Sequence, residues 1–277
     1  VDYENEFKNL LIESGGKFIS RNNNSVYTND QNNQIKFTFN YDVFNLYQTL
    51  GFEKGSWSYK GGIRLDIMDF SNKGNSQKNN FNILPSLAIQ RTFANFHTLG
   101  ATYNQRIQRP SISEISPFID SSNPNFTLSG NPNLKPTKVH SLNFSYTYIN
   151  KLSIVTDFGY DYTNNSIQQI YSSKSGSLID ISYENIGKER SYDINTNIGY
   201  ALKKIRFNFN GRLSYVNMRS MHKDLPLEND GYEGNMSLSA AIPFSTTFRT
   251  NISIRYTGPK IFLQGRSNSY FGNSISF

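Results

Sequence analysis

Apolar and polar residues alternate one for one along most of this chain. In Leu142, Phe144, Tyr146 and Tyr148 the even positions are apolar, while Ser141, Asn143, Ser145 and Thr147 between them are small and polar. The same parity separates Leu152, Ile154, Phe158, Tyr160 and Tyr162 from Ser153, Asp157, Gly159, Asp161 and Thr163. It returns in Tyr192, Ile194, Ile198 and Tyr200, in Phe207, Phe209, Leu213 and Tyr215, and in Phe248, Ile252, Ile254 and Tyr256. Side chains on a strand point to opposite faces with period two, so one face here meets an apolar medium and the other meets water. Helical periodicity competes nowhere. The pattern predicts about twelve strands of roughly 10 to 20 residues, longer than the ~5 to 6 typical of soluble sheets. A tilted strand needs about 9 to 11 residues to cross membrane hydrocarbon, and nearly every segment supplies that.

The connections alternate as well. Tight turns are expected at residues 54–56, 94–95, 150–151, 202–204 and 244–246, and longer polar connections at 22–34, 71–80, 110–136, 173–177 and 220–230. A last connection around 258–260 reads as shorter than its neighbours. Short turns on one side and long loops on the other are what an outer-membrane barrel shows, the turns being periplasmic and the loops extracellular. Aromatic residues gather at both ends: Phe52, Trp57, Phe93, Phe96, Tyr148 and Tyr200 near the turns, and Phe39, Tyr41, Tyr160, Tyr162 and Tyr215 toward the loops. Two such girdles are a membrane feature. A soluble sandwich or β-helix also alternates, but needs neither these strand lengths nor so polar a second face. The expectation is a single domain over residues 1–277, all-β, folded as an antiparallel up-and-down transmembrane β-barrel in the outer membrane of a Gram-negative bacterium.

Composition changes this picture little. Only 36% of the 277 residues are hydrophobic, with a mean hydropathy of −0.55, yet 14% are aromatic, which excludes a disordered chain. No run of about 18 apolar residues exists, so membrane-crossing helices are excluded, and the beginning lacks the layout of a secretion signal, as a mature segment would. Cysteine is absent, which excludes disulfide scaffolds and thiolate metal sites. The net charge of +7 comes from Lys and Arg spread singly along the strands, which argues against a nucleic-acid partner. His97, His140 and His222 lie far apart, so neither a metal nor another cofactor is expected. No nucleophile and base stand in an interpretable spacing, and no enzyme activity is expected.

A resemblance then enters through specific motifs. The stretch Phe81-Asn-Ile-Leu-Pro85-Ser-Leu, then Tyr103-Asn-Gln-Arg106-Ile-Gln-Arg109-Pro110-Ser111, Ser116-Pro117-Phe118 and Gly130-Asn131-Pro132-Asn133-Leu134-Lys135-Pro136-Thr137, with Asn185-Ile-Gly187 later, resembles the barrel of TonB-dependent receptors. The likeness is to the outer-membrane barrel family in which a regulatory-like domain and a plug precede the barrel. It implies a 22-strand type of barrel around a plugged lumen, of which this chain would form part. It also implies partners: outer-membrane lipid, the TonB energy-coupling complex acting through a plug domain outside this chain, and a surface lipoprotein. The function implied is capture of a bulky, scarce ligand at the cell surface and its import to the periplasm. The alternative is a closed barrel of about twelve strands acting as a passive channel or a barrel-embedded hydrolase. If the larger barrel implied by the resemblance continues beyond this chain, the strand beginning near Leu10 and the one ending at Phe277 are expected not to pair; a ladder between them would favour the closed barrel.

Candidate ligand-binding residues lie on the polar parity and in the longest loop: Arg106, Arg109, Phe118, Asn131, Arg212 and Arg255. Guanidinium groups give fixed donors for carboxylate, phosphate or chelate oxygens. The competing reading is that the arginines pair with Asp66, Asp157, Asp161 and Asp193 across strands or with a plug. Arg109-Pro110 ends a strand, and the prolines that follow stiffen a loop expected to shape the extracellular entrance.

Overall fold

The computed structural model describes residues 2–28, 34–72, 75–94, 96–173, 178–245 and 248–277. One antiparallel sheet dominates them. Its wall runs in order through β1 (Asp2–Phe7), β2 (Leu10–Thr28), β3 (Gln34–Lys54), β4 (Trp57–Asn72), β5 (Asn75–Phe93), β6 (His97–Gln108), β9 (Thr137–Ile149), β10 (Leu152–Ser173), β11 (Ile179–Leu202), β12 (Ile205–His222), β13 (Leu225–Pro243), β14 (Arg249–Thr257) and β17 (Tyr270–Ser276). The connection between β6 and β9 holds a short helix, α1 (Ile112–Ile115), and two short strands, β7 (Ile119–Asp120) and β8 (Phe126–Ser129). A two-stranded ribbon of β15 (Ile261–Phe262) and β16 (Gly265–Arg266) sits between β14 and β17. Among the described residues β1 and β17 do not pair, nor do β2 and β17, so the sheet is open.

The alternation sets the two faces as expected. Phe144, Ile194 and Leu213 stand outward, between 44% and 53% exposed, while Ser141, Asp193 and Ser214 on the other parity are at most 8% exposed. The register aligns these rows, with Phe144 opposite Phe158, Phe158 opposite Ile194 and Ile194 opposite Leu213. The outward band is thus apolar across neighbouring strands. No described helix is long and apolar enough to cross a membrane, and the crossing is made by strands.

Several expectations need correction. Phe39 and Tyr41 belong to no lipid-facing girdle: Phe39 is 5% exposed, and both face inward with Phe37 and Val43. Periodicity names two faces but not what covers each, and here the inner face is covered by an inserted loop. The loop expected at residues 220–230 does not exist either. β12 and β13 continue to a two-residue turn at Lys223 and Asp224, both at positive φ, the backbone of a tight hairpin. Pro226 is accommodated because it sits where β13 has no strand on its other side, an edge that tolerates proline. The connection after β14 is longer than expected, running from Gly258 to the start of β17 through the small ribbon. The connections at 22–34 and 71–80 are mostly strand, and only residues 29–33 and 73–74 within them lie outside the described residues. Residues 174–177 of the 173–177 connection and parts of the turns at 94–95 and 244–246 also lie outside them.

Wall height varies around the sheet. β6 and β9 stop at Gln108 and Thr137, whereas β10 and β11 pair on to Ser173 and Ile179. β11 leaves β12 above Lys188, and bulges between Asn164 and Ile167 shift the parity of β10 at the same level. The upper hairpin then packs on both faces: Ile167 and Tyr183 meet one apolar cluster, Ile170 and Ile186 a second that includes the inward-facing Val216 and Met218. It therefore leans over the lumen.

Candidate ligand-binding lumen

The loop that replaces the missing height of β6 and β9 is bound in place residue by residue. Proline at position 110 cannot donate to the ladder, so β6 ends. Ser111 caps α1: its hydroxyl accepts from the Glu114 amide at 3.3 Å, and its own amide donates to Glu114 Oε2 at 2.6 Å. The returning chain docks on this turn through Gly130 N–H to Ser116 O at 2.8 Å and Asn131 N–H to Glu114 O at 2.6 Å. Only glycine fits there, because a Cβ on residue 130 would lie 2.4 Å from Ser116 O. β8 adds in parallel to the free edge of β11 at Ile179 to Ile181. Asn131 Nδ2 donates to Tyr183 O at 2.8 Å, and Asn185 accepts from Lys135 N–H at 2.7 Å while donating to Lys135 O at 2.9 Å. Two of the motifs carrying the family resemblance, around Asn131 and around Asn185, are thus a clasp and its catch. Inside, Ile115 and Leu134 are buried with Phe37, Phe39, Val43 and Met68, and Phe118 meets Phe37 edge-on at 6.0 Å. Outside the spanning strands, Asp120 accepts from Ser122 N–H at 3.0 Å, which holds its carboxyl below the ordinary range.

The second insert, between β14 and β17, is held in a similar way. Gly258 N–H donates to Gly234 O at 2.6 Å, and Ile261 N–H to Glu233 Oε1 at 2.6 Å. The Gln264 amide completes the unpaired edge of β10, accepting from Tyr171 N–H at 2.8 Å and donating to Tyr171 O at 3.1 Å. Ile261 and Leu263 close the apolar cluster beneath.

Two polar chambers flank these inserts. One, of about 580 Å³, lies against β1 to β4 and is lined by Lys17, Arg64 and Arg109 with Asp2, Asp66, Tyr41 and Tyr47. The other, of about 390 Å³, lies between the inserts and β9 to β13, with Arg106, Arg212 and Lys260 facing Glu114, Asp161, Glu189 and Glu233. The first carries more cations than acids and the second more acids than cations. Three of the candidate arginines are paired: Arg109 with the buried Asp66 at 2.5 Å, Arg212 with Asp193 at 2.7 Å, and Arg106 with Asp161 at 3.5 Å and Ser141 Oγ at 2.9 Å. Arg255 is exposed on the inner parity without an ion pair among the described residues. Arg106 and Arg212 share a chamber; Arg109 lines the other; Phe118 and Asn131 hold the loop. Lys17, Glu189, Glu233 and Lys260 were not singled out from sequence, and only the folding of the inserts brings them together. No metal-holding group exists among the described residues, and each histidine has a structural partner: Tyr146 for His97, Tyr103 for His140, Glu184 for His222.

A sheet of long alternating strands, apolar outside and charged inside, with inserts folded into its mouth, defines the wall of an outer-membrane β-barrel protein. The family model described as "Outer membrane protein beta-barrel family" matches residues 1–277, and the chain belongs to that family. No curated protein sequence matches it. Among solved structures it is similar to the copper transporter OprC, at TM-score 0.69 and 14% identity over 99% of this chain and 47% of that one. The FrpB iron transporter from Neisseria meningitidis gives 0.67 and 9% over 99% and 46%, and a mutant ferric enterobactin receptor, PfeA, from Pseudomonas aeruginosa 0.66 and 12% over 99% and 45%. Such low identities establish the fold alone, a wall shared with these large outer-membrane barrels. The chain spans less than half the length of these structures. Its place is the outer membrane of a Gram-negative bacterium.

Proposed function

We propose that this barrel captures a bulky, scarce ligand at the cell surface and passes it to the periplasm under TonB-coupled control, without catalysis. The insert at residues 110–136 carries this reading. It is clasped inside the mouth by Arg109, Asn131 and Asn185 and leaves chambers beside it, an arrangement suited to holding a ligand rather than to free diffusion. The copper and iron transporters that share the fold support import as the outcome. The chamber with Lys17 and Arg64, which make no ion pair among the described residues, favours a ligand bearing carboxylate, phosphate or chelate oxygens. A plug domain would transmit the TonB pull, and a surface lipoprotein would meet the ligand at the rim.

The test uses the full-length receptor in liposomes. Swelling in arabinose should stay at the protein-free rate, and a ferric catecholate, as a bulky anionic probe, should bind and lose affinity in Lys17→Gln and Arg64→Gln. Rapid swelling would establish a passive channel instead. Binding unchanged in both variants would remove the anionic-ligand reading.

A further inference from the structure

The outer wall carries a continuous apolar groove that the transport reading does not use. Its upper part, about 400 Å³, and its lower part, about 470 Å³, share Ile89 and Ala101. The floor is low because Gly61 and Ala101 stand between the larger Leu87, Ile89 and Phe144. At the end nearest the short turns the groove meets Arg91 and Trp57, with the guanidinium carbon 5.0 Å from the Trp57 ring centroid. Arg91 shares the outward parity of Leu87, Ile89 and Phe93, and makes no ion pair among the described residues. A cation on the lipid face is costly at the bilayer centre and tolerable at the interface, where a counter-charge is at hand. β5 ends two residues later at Phe93, which sets Arg91 at the periplasmic interface.

We propose that this groove holds one glycerophospholipid of the periplasmic leaflet, its phosphodiester on Arg91 and an acyl chain over Gly61 and Ala101. Charge and shape select that occupant together. A planar guanidinium forks onto phosphate oxygens, Trp57 fixes its orientation by stacking, and the small residues leave a channel where an acyl chain is already the surrounding solvent.

Native mass spectrometry of the full-length receptor in mild detergent, titrated with phosphatidylglycerol, phosphatidylethanolamine or diacylglycerol, tests this. One phospholipid should remain bound, and Arg91→Gln should weaken it at least about tenfold, the loss of a charge-assisted contact. Ala101→Trp should do so by filling the floor, once its heat-modifiable migration shows a folded barrel. Lys151→Gln, a rim cation at the next turn, should leave binding unchanged, and diacylglycerol should bind as weakly to wild type as phospholipid does to Arg91→Gln. Wild-type retention in Arg91→Gln would overturn the proposal, as would equal weakening in Lys151→Gln, which would mean bulk attraction only.

Discussion

Replacing Arg109 with methionine would strip the buried Asp66 of its partner and loosen the insert at its root. Asp66 is 2% exposed and Arg109 29%, with 2.5 Å between them, and Arg109 Nε also reaches Met68 Sδ at 3.3 Å. Removing one member of a buried pair costs about 3 to 5 kcal/mol, because the remaining charge stays desolvated. Water can reach the space Arg109 vacates, so the lower end, about 3 kcal/mol, applies here. The insert also holds through Gly130, Asn131 and Asn185, and the strands below through their own ladders, so the cost should appear as loop opening rather than barrel unfolding. At about 1.4 kcal/mol per tenfold, the open population should rise roughly a hundredfold. Hydrogen exchange of the Gly130 and Asn131 amides, which bond to Ser116 O and Glu114 O, reads this directly. Adding Asp66→Leu should restore much of the protection, since an apolar pair of similar volume avoids the stranded charge. Exchange in Arg109→Met within about threefold of wild type would refute the reasoning, since the latch would then carry under ~0.7 kcal/mol.

Two further outcomes follow from the packing. Leu134→Ala should weaken docking of the insert by about 2 to 5 kcal/mol for a buried leucine lost from the cluster around Ile115 and Phe39, read by hydrogen exchange of the Gly130 and Asn131 amides. Ile194→Arg should destabilise the inserted barrel by about 2 to 4 kcal/mol in denaturant unfolding in lipid vesicles, while Asn195→Arg, one residue along and facing the lumen, should cost little in the same assay.

The wall was legible in the sequence because a period of two survives unbroken in segments such as residues 142–148 and 205–215, and the membrane demands nothing beyond it. Where a second layer covers the wall, that signal fails: Phe39 and Tyr41 read as part of a girdle but pack, with Phe37 and Val43, against Leu134 and Ile115 from a loop far along the chain. The hairpin at Lys223 and Asp224 was hidden by polar residues and a proline that an unpaired edge accepts. Arg106, Arg109 and Arg212 were found by parity, whereas their partners across strands depend on register. Glu189 and Lys260 share a chamber only because the upper β10 and β11 hairpin and the last insert fold inward, and no local pattern announces that.

The central claim is that one parity faces lipid and the other the lumen, and the chain's lack of cysteine makes it directly measurable. Single cysteines at positions 144, 145, 194, 195, 207 and 208, spin-labelled in bilayers, would be scored for collision with oxygen and with a water-soluble nickel chelate. Labels at 144, 194 and 207 should favour oxygen, and those at 145, 195 and 208 the chelate. Reversed preferences, or protection of both sets from both reagents, would contradict the account.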